Sequence, residues 1–155
     1  MAVELVQATI EDAEALWKMQ VECFASLLEK YQDFDTSPAN EPLEKMQWRL
    51  EQSNTYYYFI VADGRSVGAI RVIDSKDGTD KRISPLFVLP AFQNRGIGQR
   101  AIKAAEALHG PSGWELDTIL QEAGNCHLYE KMGYRQTGKR TAVNDKMTLV
   151  FYRKG

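Results

Sequence analysis

The segment Leu86–Leu108, LFVLPAFQNRGIGQRAIKAAEAL, passes from an apolar strand-like run through a proline-bounded loop into Gly96-Ile97-Gly98, and then into a helical pattern. That order restricts the fold to one in which a helix N-terminus stands beyond a strand's end. Glycines there let the backbone approach a ligand closely. The first N–H groups of the helix have no partner within it, and with the helix dipole they favour an anion. Arg95 and Arg100 add positive charge. A phosphate or pyrophosphate suits this chemistry. On the segment alone, a plain helix start after a tight turn stays open. So does a dinucleotide turn, because Gly96, Gly98 and Ala101 fit G-x-G-x-x-A and Asp117 lies near the expected offset of ~20 residues. Two features count against the dinucleotide turn. Pro90–Arg95 separate the strand from the glycines, and fewer than ~40 residues follow Asp117, too few to continue a doubly wound sheet. A P-loop would need Lys-Ser/Thr after the glycines, and none is present.

The rest of the chain sets this segment in a mixed sheet. Val3–Ala8 alternate as a short strand, and Thr9 with Asp12 forms a near capping box. Ala13, Leu16, Met19, Cys23 and Leu27 follow at helical spacing. YQDFDTSPAN (Tyr31–Asn40) reads as a loop, and a second helix starts near Asn40 or Glu41 with Leu43, Met46 and Leu50 on its apolar stripe. Strands are expected at Thr55–Ala62, Val67–Ile73 and Lys81–Leu89, joined by Asp63-Gly64 and Asp77-Gly78 turns. Pro85 inside the third marks an irregularity or bulge, since proline gives the ladder no N–H. A helix over Gly98–Leu108, a strand Trp114–Thr118, a helix Asn125–Met132 and two closing strands, Tyr134–Lys139 and Met147–Arg153, complete the pattern. The expected fold class is α/β: a mixed sheet with helices on its faces, in a single domain over residues 1–155.

Charge and cysteine content narrow the function. Nineteen Lys+Arg against 21 Asp+Glu leave no broad basic face for nucleic acid. Two cysteines, Cys23 and Cys126, are too few for a disulfide framework or a zinc site, so no metal is expected. No apolar run approaches a membrane span, and the acidic N-terminus lacks a signal pattern, so the default compartment is the cytoplasm.

VLPAFQNRGIGQRAI resembles the signature of the GCN5-related N-acetyltransferases (GNAT): a strand ending V-x-P, then Q/R-x-x-G-x-G/A opening a helix. Gln93, the neighbourhood of Arg95, Gly96 and Gly98 fill its fixed positions. NCHLYEKMGYRQTG resembles that family's second motif, and the element order is similar from about Gln7 to Arg153. The resemblance implies a splayed central sheet with acetyl-coenzyme A in the cleft. It places the pyrophosphate on the backbone N–H groups of Asn94, Arg95, Gly96, Ile97, Gly98 and Gln99. It pairs the pantetheine arm with the edge Leu86, Phe87, Val88 and Leu89. The implied reaction is direct attack of a small-molecule or peptide amine on the thioester. Dimers occur widely in the family, so a homodimer is an open expectation. A non-catalytic acyl-CoA sensor on the same fold is the alternative, and a nicotinamide oxidoreductase the remoter one.

By the same resemblance, Tyr129 protonates the departing thiolate; otherwise it is a core aromatic. Asp117 matches the position of an acid that some members use as a base. Glu115 shares its parity, a strand-end carboxylate role is equally open, and many members use a water chain. Where the family often has a coenzyme-contacting asparagine, this chain has Glu122. Asn125, one turn from Tyr129, either substitutes for it or serves as an N-cap. Cys126 and His127 are adjacent on a helix and point apart, so they do not form a nucleophile–base pair. Tyr31, Asp33, Phe34 and Asp35 fall where the family covers its acceptor, although a solvated acidic loop accounts for them as well.

Overall fold

Alternating apolar residues make both faces of the central strands hydrophobic, so helices must cover both sides. The computed structural model describes all 155 residues. Its elements are β1 (Val3–Gln7), α1 (Ala13–Tyr31), α2 (Leu43–Glu51), β2 (Thr55–Ala62), β3 (Arg65–Ile73), β4 (Lys81–Val88), α3 (Ile97–His109), β5 (Trp114–Ile119), α4 (Ala123–Lys131), β6 (Arg135–Ala142) and β7 (Thr148–Lys154). The seven strands form one sheet in the order β1-β2-β3-β4-β5-β7-β6. β4 and β5 are its single parallel pair. The sheet is therefore mixed and open, as the sequence suggests, and not doubly wound. No helix is long and apolar enough to cross a membrane.

Tyr57 and Tyr58 show the two faces directly. Tyr58 joins Ile70, Val72, Trp114 and Leu116 beneath Ile97, Ala101, Ile102 and Ala105 of α3. Those α3 residues recur at helical spacing, which turns one stripe onto the sheet. Tyr57 points the other way and packs with Leu16 and Cys23 of α1 and Met46 of α2. Cys23 is a core residue, and burial pushes its thiol up to about 12.

Several boundaries differ from expectation because tertiary contacts extend or cut the elements. α1 runs on to Tyr31, which is buried, and stops at Gln32 in the left-handed region (φ 53°). α4 starts at Ala123, so Asn125 lies within its first turn and Glu122 takes the N-cap place. β4 ends at Val88, and Leu89 opens a short 3-10 turn. Tyr134 precedes β6, where its buried hydroxyl donates to Glu106 at 3.0 Å.

At the far end of α3, His109 bridges Asp74 (Nδ1 to Oδ2, 2.8 Å) and Tyr58 (Nε2 to OH, 2.8 Å). Burial raises the Asp74 pKa, but hydrogen bonds from His109 and the Lys76 N–H outweigh it, and the net shift is downward. A carboxyl whose folded pKa lies below its unfolded value of ~4 stabilises fully above that value and loses the contribution as pH falls through the folded one. Between pH 5 and pH 3 the urea midpoint should therefore drop. Asp74→Asn should start lower at pH 5 and flatten part of that slope, as read by chemical denaturation at each pH.

Candidate functional site

The site begins where two parallel strands stop pairing. β4 and β5 meet only at Lys81–Trp114 and Arg82–Glu115. On the other side of β4, Ile70 pairs with Leu86 and Val72 with Ile83, so Ser84 and Pro85 together face Arg71. This is the bulge that Pro85 led us to expect, and an extra residue bends its strand. Beyond Arg82 the edge of β4 has no strand partner. A cleft of about 720 Å³ opens there between α1, the β4–α3 loop, β5 and α4.

Leu86, Phe87, Val88, Gln93, Asn94, Gly96, Ile97, Gly98 and Gln99 all line this cleft, as the sequence suggests. Leu89 does not, because it packs with the α1–α2 side of the core. Arg95 does not line it either; its guanidinium lies over the Phe92 ring at 5.6 Å. Arg100, expected beside an anion, instead donates to the Met1 carbonyl at 2.8 Å. The Gln93 amide folds back onto the Val88 carbonyl at 2.9 Å and ties the loop to the strand.

The backbone of the loop carries the chemistry. Asn94 and Gly96 have positive φ (63° and 76°), so successive N–H groups converge on one concavity. The first α3 bond is donated by Arg100 to Gly96. None of the six amides of Asn94–Gln99 donates to a protein acceptor. Unbonded donors before and within the first turn of a helix form a candidate anion site. The two glycines serve different ends. Gly96 meets the left-handed backbone, with open space where a Cβ would stand. At Gly98 a Cβ would come within 3.2 Å of Leu128, so this glycine brings α3 and α4 together.

The opposite wall carries the candidate catalytic side chains. Tyr129 is 8% exposed, lies among Tyr134 and Tyr152, and lines the cleft. Burial first, then the charge of Asp117, push its pKa well above the ordinary phenol value. Asp117 also lines the cleft and is ion-paired with Arg82, which reaches Glu115 at 3.6 Å. Asn125 faces the cleft from the first turn of α4, and His127 is exposed. Glu122 is committed elsewhere: Lys30 donates to it at 2.8 Å and Tyr31 at 2.5 Å. Burial raises its pKa, but those hydrogen bonds bring the net shift down, so it stays ionised.

The Tyr31–Asn40 stretch is not a solvated acidic loop throughout. Asp33 is 6% exposed, where it accepts from the Thr36 N–H (3.2 Å) and hydroxyl. Burial of Tyr31 and Asp33 fixes the end of α1 as a wall of the cleft. Phe34 is exposed. Sequence reasoning missed the interior of this wall. Gln20 donates to Glu41 at 2.8 Å, Arg49 holds Glu41 with two bonds (2.7 and 2.5 Å), and Arg71 stands beside them in the cleft. The available signal was Arg71 itself, a charge in the middle of the apolar strand VGAIRVI.

A family model described as "Acetyltransferase (GNAT) domain" matches residues 10–154. The chain belongs to the GNAT acetyltransferases. Solved structures share its fold at low identity. PaiA N-acetyltransferase from Thermoplasma acidophilum, determined in complex with coenzyme A, is 18% identical with a TM-score of 0.73, and each chain is covered completely (100% and 100%). An acetyltransferase from Thermus thermophilus is 15% identical (TM-score 0.72, covering 98% of this chain and 96% of that one). The Escherichia coli ribosomal-protein-S18-alanine N-acetyltransferase is 10% identical (TM-score 0.74, 97% and 92%). A comparison with curated proteins found no match.

The two glycines should separate in a mutant cycle. Gly96→Ala should cost about 1–2 kcal/mol through backbone strain alone. That cost should add simply to that of Leu128→Ala. Gly98→Ala should couple to Leu128→Ala by more than ~0.5 kcal/mol, because the smaller residue relieves the contact. Urea denaturation of the single and double variants checks both.

Proposed function

We propose that this acetyltransferase uses acetyl-CoA to acetylate a primary amine of a small molecule or peptide, with residues 1–155 acting as one catalytic domain. The observation that carries the reading is the run of six unbonded amides at Asn94–Gln99, set at the mouth of the β4–β5 split. The pyrophosphate of the coenzyme suits that cradle. The unpaired edge of β4 from Leu86 to Val88 suits the amide-bearing pantetheine arm, which adds to it as a short strand does. The same split leads the thioester inward, toward Tyr129 and Asp117.

In the reaction the amine nitrogen attacks the thioester carbonyl carbon. An N–C bond forms, the nitrogen gives up its extra proton to solvent, the C–S bond breaks, and the thiolate leaves. The arriving ammonium must first lose a proton. Asp117, oriented by its ion pair with Arg82, accepts a hydrogen bond from that ammonium and relays the proton to water. Tyr129 stays protonated because burial raises its pKa. It donates a hydrogen bond to the sulfur as charge develops there, and solvent completes the proton transfer. Positioned donors of this kind contribute roughly 10²–10⁴-fold. Asn125 adds a polar contact to the coenzyme from the first turn of α4.

Tyr129→Phe should lower kcat by about 10²-fold or more and change the Kd for acetyl-CoA by less than about 3-fold. Thiol release with a panel of amines, alongside calorimetric titration with acetyl-CoA, checks both numbers. A protein stabilised by NAD(P) and indifferent to acetyl-CoA in a thermal-shift comparison would overturn the reading. Coenzyme binding with no amine acetylated would favour a sensor.

A further inference from the structure

Four carboxylates line the cleft and each already has a partner. Asp33 is held by Thr36, Glu41 by Arg49 and Gln20, Asp117 by Arg82, and Glu122 by Lys30 and Tyr31. The arginines are unequal. Arg49 and Arg82 are spent in those pairs, whereas Arg71 makes no ion pair, and its Nε is buried without a hydrogen-bond partner. Burial first, and then repulsion from Arg49, bring its pKa down to about 10. An arginine at that value remains a cation at neutral pH.

A half-buried guanidinium without an ion pair is costly, and a methionine of similar length would pack there without that cost. Arg71 also occupies a particular place. It faces the Ser84–Pro85 bulge on β4, where the strand bends away from β5, and it is the cross-strand neighbour of Tyr57. The Tyr57 hydroxyl and the Gln20 Oε1 on the same side are likewise buried without partners, and both residues are 1% exposed. Tyr57 belongs to the α1–α2 side of the core, Arg71 stands opposite it on β3, and Gln20 and Arg71 both line the cleft. A planar guanidinium with free donors matches a carboxylate bidentately.

We propose that the acceptor is an amine that also carries a carboxylate, and that Arg71 seats that carboxylate at the acceptor end of the cleft. The inference rests on the acetyltransferase reading for the amine, but the anion seat stands on Arg71 alone. The carboxylate anchors on Arg71 beside the bulge, and the amine then points along the split toward the thioester. Arg71 is a positioning residue in this scheme and does not move protons.

The test compares matched acceptors: amino acids, their carboxamides, and the amines left by removing the carboxyl group. The wild type should favour the carboxylate form in kcat/KM by about 30-fold or more, the scale of a buried charge pair losing one partner. Arg71→Met should raise KM for that form and erase the preference, leaving kcat with the carboxamides within about 3-fold. Arg71→Lys should keep a weaker preference. Arg71→Met should also fold, with a Tm equal to or above that of the wild type. A second measurement needs no turnover: in the presence of saturating coenzyme A, N-acetylated amino acids should raise the Tm of the wild type and not that of Arg71→Met. Equal use of carboxylates and carboxamides by the wild type would overturn the proposal and leave the acetyltransferase reading intact. An identical Tm rise in both proteins would overturn it as well. If no amine is acetylated at all, the acetyltransferase reading fails, and the Tm comparison still decides the anion seat.

Discussion

The structure depends on a sheet that stops being a sheet. Two ladder pairs hold β4 to β5, and after them the strands part. Parting leaves the β5-facing edge of β4 beyond Arg82 without a ladder partner, which in a closed sheet would be a defect. It is tolerated because the bulge at Ser84–Pro85 bends β4 and keeps its other edge paired to β3. α3 and α4 seal the core on one face while α1 and α2 close the other. Every candidate site feature borders this gap: the unbonded amides of the glycine loop at one mouth, Tyr129 and Asp117 on the far wall, and Arg71 behind the bulge.

Electrostatics divide the cleft into two halves. At the glycine loop, positive potential comes from oriented amides and a helix dipole, not from side chains, because Arg95 and Arg100 turn away to Phe92 and Met1. At the other end it comes from a real charge, with the surrounding carboxylates spent on partners of their own. On the proposed reading, the dipolar loop would take the phosphates of acetyl-CoA and the single guanidinium would select among acceptors.

Much of the glycine-loop end was legible in one dimension, because its features are backbone properties. Gly96 and Gly98 in front of a helical repeat announce free amides wherever the chain goes. Pro85 in a strand announces a bulge for the same local reason. The period of two along Thr55–Ala62 sends Tyr57 to the face opposite Tyr56 and Tyr58. The acceptor end was not legible. Gln20, Glu41, Arg49 and Arg71 come from α1, a loop, α2 and β3, and nothing in their spacing links them. Asp33 reads as a loop acid in sequence and is buried in the structure. Arg95 and Leu89 fit a motif whose backbone matters, while their side chains face elsewhere.

What the sequence determined by itself was the order of the elements, the glycine-opened helix after a bulged strand, and membership of the GNAT acetyltransferases. Each follows from local periodicity or a contiguous motif, where neighbours in the chain are neighbours in space. What only the tertiary structure decided was which charges are satisfied. Pairing of Asp117 with Arg82, capture of Glu122 by the end of α1, and isolation of Arg71 all depend on contacts between residues far apart in the chain. Charge satisfaction is a property of surroundings, and surroundings exist only once the chain has folded.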